Sequence, residues 1–330
     1  MREKTRNVAV YSAGHFLVDL ACMFLFARLV TLGSRPLECT LLYNFFAFAG
    51  QMPIGLVADK LNRNRLVAVL GCALVAAAYL LGEAPTAACV TAGLGNAMYH
   101  VGGGLDTLNR SEGKGALLGV FVSPGAFGLF IGGLLARTAV PTFVPAAALV
   151  VMGAAVALLC APSRNAELEI SFGKAGALAL LLLALVVALR SYVGFLFSFD
   201  WKSGVWAWLF TAGVVLGKAL GGFAADRFGS VKTSVVSLAL ASGLFLLSDS
   251  AVLGVAAVLL FNMTMPITLR AAADLLPGAK GFSFGLLTFA LFLGFVPKLL
   301  GLPGISTPWS YALLSLLSLG LLLPGLRIKP

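Results

Sequence analysis

His15 and Asp19 stand four residues apart inside an apolar run from Asn7 to Leu32, a spacing that stacks them on one face of a helix within contact distance. A carboxylate beside an imidazole makes two groups whose protonation depends on each other and on access to water, which is what a proton relay requires. His100, just before Gly102–Gly104, offers a second imidazole within an apolar run. Two cations are also embedded in such runs. Arg190 presents a planar fork suited to a carboxylate, phosphate or phosphonate, and Lys218 a mobile point charge. Plainer readings stand beside these. Asp19 pairs with Arg190 while His15 fills a polar niche, Lys218 snorkels or pairs with Asp19, and His100 is hydrogen-bonded at a helix contact. Two cations against one mid-run carboxylate leave a positive surplus that an anionic substrate balances.

The elements that position these groups follow from composition. The chain has 330 residues, 60% of them hydrophobic and 11% charged, with a mean hydropathy of +0.99. That leaves too little polar surface to cover a soluble globule, so the expected class is an all-α polytopic membrane protein. A net charge of +10 would suggest nucleic acid in a soluble protein. Here the basic residues lie in short gaps between apolar runs, as loops at a membrane face, and no nucleic-acid partner is expected. Windows of spanning length fit near 7–32, 37–57, 66–83, 85–107, 116–137, 140–161, 175–199, 204–225, 233–249, 251–270, 282–300 and 308–326, predicting twelve transmembrane helices. The basic N-terminal segment resembles a signal peptide, but the run contains His15 and Asp19 and has no small-residue cleavage site, so it reads as a retained span.

Loops on the side of the termini, with Arg2, Lys4, Arg6 and Lys329 among their residues, carry roughly three times the Lys and Arg of the other side, which has Arg28, Arg35, Arg137, Lys202 and Lys298. Both termini are therefore expected in the cytoplasm of a multi-pass inner-membrane protein. The five cysteines form no CxxC pair and lie mostly in apolar runs, which argues for packing rather than a disulfide framework or a zinc site.

One phrase occurs twice: "QMPIGLVADKLNRNRL" from Gln51 and "KALGGFAADRFGSVKT" from Lys218. Asp59 and Asp226 are 167 residues apart, each at the end of the second span of a six-span half. The chain thus reads as a tandem duplication: an N-terminal bundle over 1–161, a cytoplasmic linker over 162–174 and a C-terminal bundle over 175–330. Aligned on the aspartates, Gly55 matches Gly222, Ala58 matches Ala225, Lys60 corresponds to Arg227, and Gln51 falls opposite Lys218. Small residues let two helices approach closely, and an Asp followed by basic residues can cap or pair with a neighbouring helix end.

At these residues the chain resembles the major facilitator superfamily, whose loop motif is G-x-L-A-D-R-x-G-R-R/K. The first copy keeps the glycine, alanine, Asp59 and the basic end with Arg63, and has Asn62 where the second glycine is usual; the second copy keeps that glycine as Gly229 beyond Asp226 and Arg227. "HFLVDL", "GNAMYHVGGG" and "LRSYVGF" further resemble stretches of fosmidomycin-resistance-type efflux proteins, with Val101 in place of a usual proline. "GVFVSPGAFGLFIGG" (Gly119–Gly133) loosely resembles an antiporter motif. The resemblance implies a major facilitator fold, twelve helices in two pseudo-symmetric six-helix bundles, and proton-coupled export by alternating access. It also implies that the first, fourth, seventh and tenth spans line a central cavity. Asp19, His15 and His100 then serve proton coupling, His100 taking over part of the role of a missing fourth-span arginine. Arg190, Lys218, Tyr43, Asn44, Gln51 and Asn262 are candidate substrate contacts, with interhelical glue as the alternative for the uncharged ones. Asp59, Arg63, Asp226, Arg227 and Asp106 belong to gates and helix caps.

No G-x-x-x-x-G-K-[ST] phosphate loop, nucleophile elbow or zinc spacing occurs, and no bound metal is expected. An ion gradient is the expected energy source, protons first and sodium as the alternative. No enzyme activity and no cofactor are expected, and the partners are a small organic anion, coupling ions and membrane lipids around a monomer. Uptake by symport, or a transport-inactive receptor or scaffold on the same fold, are the alternatives.

Overall fold

A computed structural model describes residues 2–32, 36–171 and 173–328. Arg35 and Lys329, which enter the charge count, lie outside the described residues. Within them the chain is helical: α1 (Arg2–Leu32), α2 (Pro36–Asn44), α3 (Gln51–Leu61), α4 (Asn64–Ala78), α5 (Pro85–Ser111), α6 (Ala116–Val122), α7 (Gly125–Leu135), α8 (Phe143–Leu159), α9 (Lys174–Leu196), α10 (Gly204–Phe228), α11 (Ser230–Phe245), α12 (Ala251–Asn262), α13 (Thr264–Leu275), α14 (Lys280–Leu299) and α15 (Pro308–Arg327).

Breaks within the long runs have chemical causes. Between α2 and α3 a π-helical turn covers Phe45–Ala49. Pro53, which has no N–H to return to the preceding turn, follows it, and the Gly50 N–H reaches back five residues to Phe45 O at 3.0 Å before α-helical bonding resumes. The α6–α7 break falls at Ser123–Pro124. Pro124 cannot donate to the Val120 carbonyl, and the Ser123 hydroxyl does so instead at 3.1 Å. The α12–α13 break at Met263 precedes Pro266 in the same way.

Among the described residues, nine helices or joined helix pairs are long and apolar enough to cross a membrane. Twelve windows were expected. α8 and α11 are shorter, at 17 and 16 residues. α5 has 27 residues but carries Asn96, His100, Asp106, Asn109 and Arg110, which dilute its hydropathy. Each of the three is nevertheless a helix in the expected place.

The chain forms two compact units. One comprises residues 1–112, 124–169 and 278–289, the other 113–123, 170–277 and 290–330. In the first, α1 packs on α7 at glycine spacing. A Cβ on Gly128 or Gly132 would strike the backbone of Phe16 or Leu20, so the helices touch through main chain. Tyr11, Phe24, Tyr99, Leu105 and Leu149 fill the interior. In the second unit, Gly217 and Gly221 bring α10 onto α12 and the turn after it in the same manner. Phe197 sits among Phe245, Phe261 and Tyr311, with ring centroids 5.2–6.1 Å away. Trp201 stacks on Phe199 at 4.8 Å and donates to Ser248 O at 2.8 Å. Lys202 lies 4.0 Å over the Phe210 ring, and burial there pulls its ammonium below the ordinary lysine range.

Candidate functional site

Three buried ionisable groups of the first unit, His15, Asp19 and His100, converge on one point. α1 carries His15 and Asp19, and their i,i+4 spacing sets His15 Nε2 3.3 Å from Asp19 Oδ2. α5 brings His100, whose Nε2 lies 3.0 Å from His15 Nε2 and 3.5 Å from Asp19 Oδ1. The imidazoles meet edge to face at 4.3 Å, and the three residues are only 6%, 7% and 9% exposed. Asn96, one turn before His100, holds both sides together. Its side-chain amide donates to Asp19 Oδ1 at 3.0 Å, and its main-chain carbonyl lies 2.8 Å from His100 Nδ1. A carbonyl only accepts, so His100 carries a hydrogen on Nδ1 and, in its neutral form, turns the Nε2 lone pair toward His15 and Asp19. Gly125, the first residue of α7, lies against the pair, and a Cβ there would overlap Asp19 Oδ2 and His15 Nε2. Asn96 and Gly125 were not singled out from sequence. The i,i+4 relation of Asn96 to His100 was the available signal for the first.

In the second unit Arg190 is 7% exposed on α9. Its guanidinium donates to the Thr268 hydroxyl at 3.4 Å, and among the described residues no carboxylate lies within 4.0 Å of it. Lys218 is half-buried on α10, where its carbonyl and that of Ala219 face Gly119 of α6.

The uncharged candidates bond locally. Asn44, Gln51 and Asn262 each donate their side-chain amide to the carbonyl four residues back, at 2.8, 2.6 and 2.8 Å. Tyr43 is buried and stacks on Phe26 at 5.1 Å. Asp106 is fully buried and pairs with Arg110 at 2.9 Å, while accepting from Ser163 N at 3.1 Å. It thus ties the segment after α8 to α5.

The two motif aspartates have equivalent surroundings. Asp59 accepts the backbone N–H of Gly281 and of Phe282, both at 2.8 Å, at the start of α14. Asp226 accepts those of Gly115 and Ala116, at 2.7 and 2.9 Å, at the start of α6, and meets Arg270 at 3.4 Å. Each carboxylate therefore meets N–H groups that have no intrahelical acceptor, at the positive end of a helix. Asn62 and Gly229 both take a positive φ, 52° and 89°, and each donates its N–H to the alanine carbonyl four residues back, Ala58 or Ala225. Asparagine tolerates that conformation, so the departure from glycine at Asn62 leaves the turn intact. Arg63 is exposed beside an apolar groove of about 310 Å³ lined by Val57, Leu66, Leu70 and Met98, and Arg227 is exposed.

No family model and no curated protein sequence matches the chain. Solved structures do. The chain is similar to the Escherichia coli fucose:proton symporter FucP, with a TM-score of 0.72 at 12% identity over 99% of both chains. The human organic anion transporter MFSD10 gives 0.68 at 16% identity over 97% of this chain and 99% of that one. A major facilitator superfamily transporter, FucP in an outward conformation, gives 0.63 at 12% identity, with coverage of 97% and 99%. At such identities the likeness speaks for architecture, and the chain is a multi-pass membrane protein with the fold of major facilitator transporters.

Proposed function

We propose that this protein is a secondary active transporter that moves a small organic anion of the carboxylate, phosphate or phosphonate type by alternating access. The observation that carries the reading is Arg190. A guanidinium that is 7% exposed, with a neutral hydroxyl as its hydrogen-bond partner and no carboxylate within ion-pair distance among the described residues, costs several kcal/mol unless a counter-ion arrives. A transported anion supplies that charge, with Lys218 as the second cation. Twelve spans in two six-helix bundles over 1–161 and 175–330, joined by the linker 162–174, and an inner-membrane location with cytoplasmic termini complete the reading. The proton is the coupling ion, engaged at Asp19 between His15 and His100, and export of the fosmidomycin-resistance type is the direction. Uptake is the second reading, favoured by the description of one fold relative as a proton symporter.

A thermal-shift panel of small carboxylates, phosphate esters and phosphonates tests the cargo. At least one anion is expected to raise the melting temperature of the wild type and to leave Arg190→Ala unmoved. If organic cations stabilise the protein and anions do not, the reading fails. In proteoliposomes, Asp19→Asn is expected to abolish flux driven by an imposed pH gradient while the stabilising anion still binds. Undiminished gradient-driven flux in that variant rules out Asp19 as the coupling group.

A further inference from the structure

We infer that His15, Asp19 and His100 form a binding site for one divalent first-row transition metal ion of the zinc class. Three kinds of donor point inward: His100 Nε2, whose lone pair faces the cluster because Nδ1 is committed to the Asn96 carbonyl at 2.8 Å, His15 Nε2, and both oxygens of Asp19. The separations of 3.0, 3.3 and 3.5 Å are those of ligands that each sit about 2 Å from a common ion. The candidate ligand atoms all lie within 4.8 Å of one another. One hydrogen on His15 Nε2 can be donated along only one of the short contacts there, whereas a single cation meets all the converging lone pairs at once.

The surroundings have the form of an outer shell. A metal-bound histidine usually donates its other ring N–H to a carbonyl, and ligating carboxylates are themselves hydrogen-bonded. Asn96 does both, through its carbonyl to His100 and its amide to Asp19. Gly125 keeps a side chain off the cluster, since a Cβ there would overlap both His15 Nε2 and Asp19 Oδ2. Two imidazoles and one carboxylate suit zinc, iron, cobalt, nickel or manganese, and leave further coordination positions for water or another ligand. A bound metal occupies the lone pairs that a coupling proton would use, so the two exclude each other at this site.

The inference does not depend on what is transported. The test uses the full-length protein in detergent, stripped with a chelator and purified without a histidine tag, since the chain has only two histidines. Cobalt(II) is the probe, read by its visible d–d absorption, with zinc as the displacing ion. The wild type is expected to take up one equivalent that zinc displaces. His15→Ala and His100→Ala should lose the bands, and Asn96→Ala should bind roughly 10–100-fold more weakly. Absence of cobalt bands in a monodisperse, helical wild-type sample overturns the inference, as does unchanged binding in both folded histidine variants. A metal-free result leaves anion transport standing, and a protein that binds cobalt but moves no anion removes only the transport reading.

Discussion

Arg28 shows what a single residue conceals in a sequence. Its place near the end of an apolar run predicts an anchor reaching toward the membrane surface. In the folded chain the guanidinium also donates to the carbonyls of Ala136, Thr138 and Val140 at 3.3, 2.9 and 2.9 Å and lies 4.3 Å over the Phe24 ring. These three acceptors are main-chain atoms more than 100 positions away, and a carbonyl has no side-chain identity to betray it. Arg28→Ala leaves three carbonyls of the segment just after α7 without that donor, and is expected to lower stability by roughly 1–3 kcal/mol, measured as a shift in detergent thermal melting. Arg28→Lys should recover only a small part, because an ammonium cannot reproduce the planar fork. An unshifted melt in the alanine variant would reduce Arg28 to the surface anchor its sequence position suggests. His15 and Asp19 are the opposite case. Their contact is set by helical spacing alone and was legible from the sequence. The partners of Asp19 across helices, His100 and Asn96, depend on how α1 meets α5, which the spacing of neither helix encodes.

At the scale of elements, the duplicated phrase was the most informative feature of the sequence, and its physical use is now visible. α3 and α10 each carry in their last turn an aspartate that accepts two N–H groups from the start of another helix, α14 and α6 respectively. Glycine makes both approaches possible. A Cβ on Gly55 would overlap the backbone of Gly281, and one on Gly222 that of Gly115. The sequence showed the aspartates and glycines but not the receiving helices, because an N–H donor is common to every residue except proline. The two caps differ in burial. Asp59 is 3% exposed, whereas the Asp226 side chain is 19% exposed and also meets Arg270. Replacing either carboxylate by an amide turns one acceptor into a donor facing another donor. Asp59→Asn is therefore expected to destabilise by about 1–3 kcal/mol and Asp226→Asn by less, since water and Arg270 remain there. Equal losses, or the reverse order in matched thermal melts, would show that burial does not govern the caps. The windows 37–57, 116–137 and 251–270 read as unbroken spans, and the breaks beside Pro53, Pro124 and Pro266, with the Ser123 hydroxyl filling the bond that Pro124 omits, required the folded geometry.

For the whole molecule, composition and periodicity predicted helices where helices stand. The count of crossings is where composition alone weakens. α5 owes its low hydropathy to the groups that make it interesting: Asn96 and His100 at the ion cluster, and Asp106 and Arg110 where the segment after α8 is tied down. A helix that carries function inside a membrane looks less like a membrane helix, since buried polar groups satisfied by partners lower its mean hydropathy without lowering its stability in place. α8 and α11, at 17 and 16 residues, sit at or just below the short end of the spanning range. If all three cross, the total is even and the basic bias puts Arg2, the 162–174 segment and Arg327 on one face, with the 197–203 and 300–307 loops on the other. Single cysteines introduced at Arg164, Ser203 and Ser306, on a background without the five native cysteines, test this by labelling intact cells with a membrane-impermeant maleimide. Ser203 and Ser306 should react from outside, and Arg164 only after the membrane is opened. If Ser203 and Arg164 label from the same face, α9 does not cross as proposed. If Ser203 and Ser306 label from opposite faces, the helices between them cross an odd number of times, and the pairing of six spans with six cannot hold.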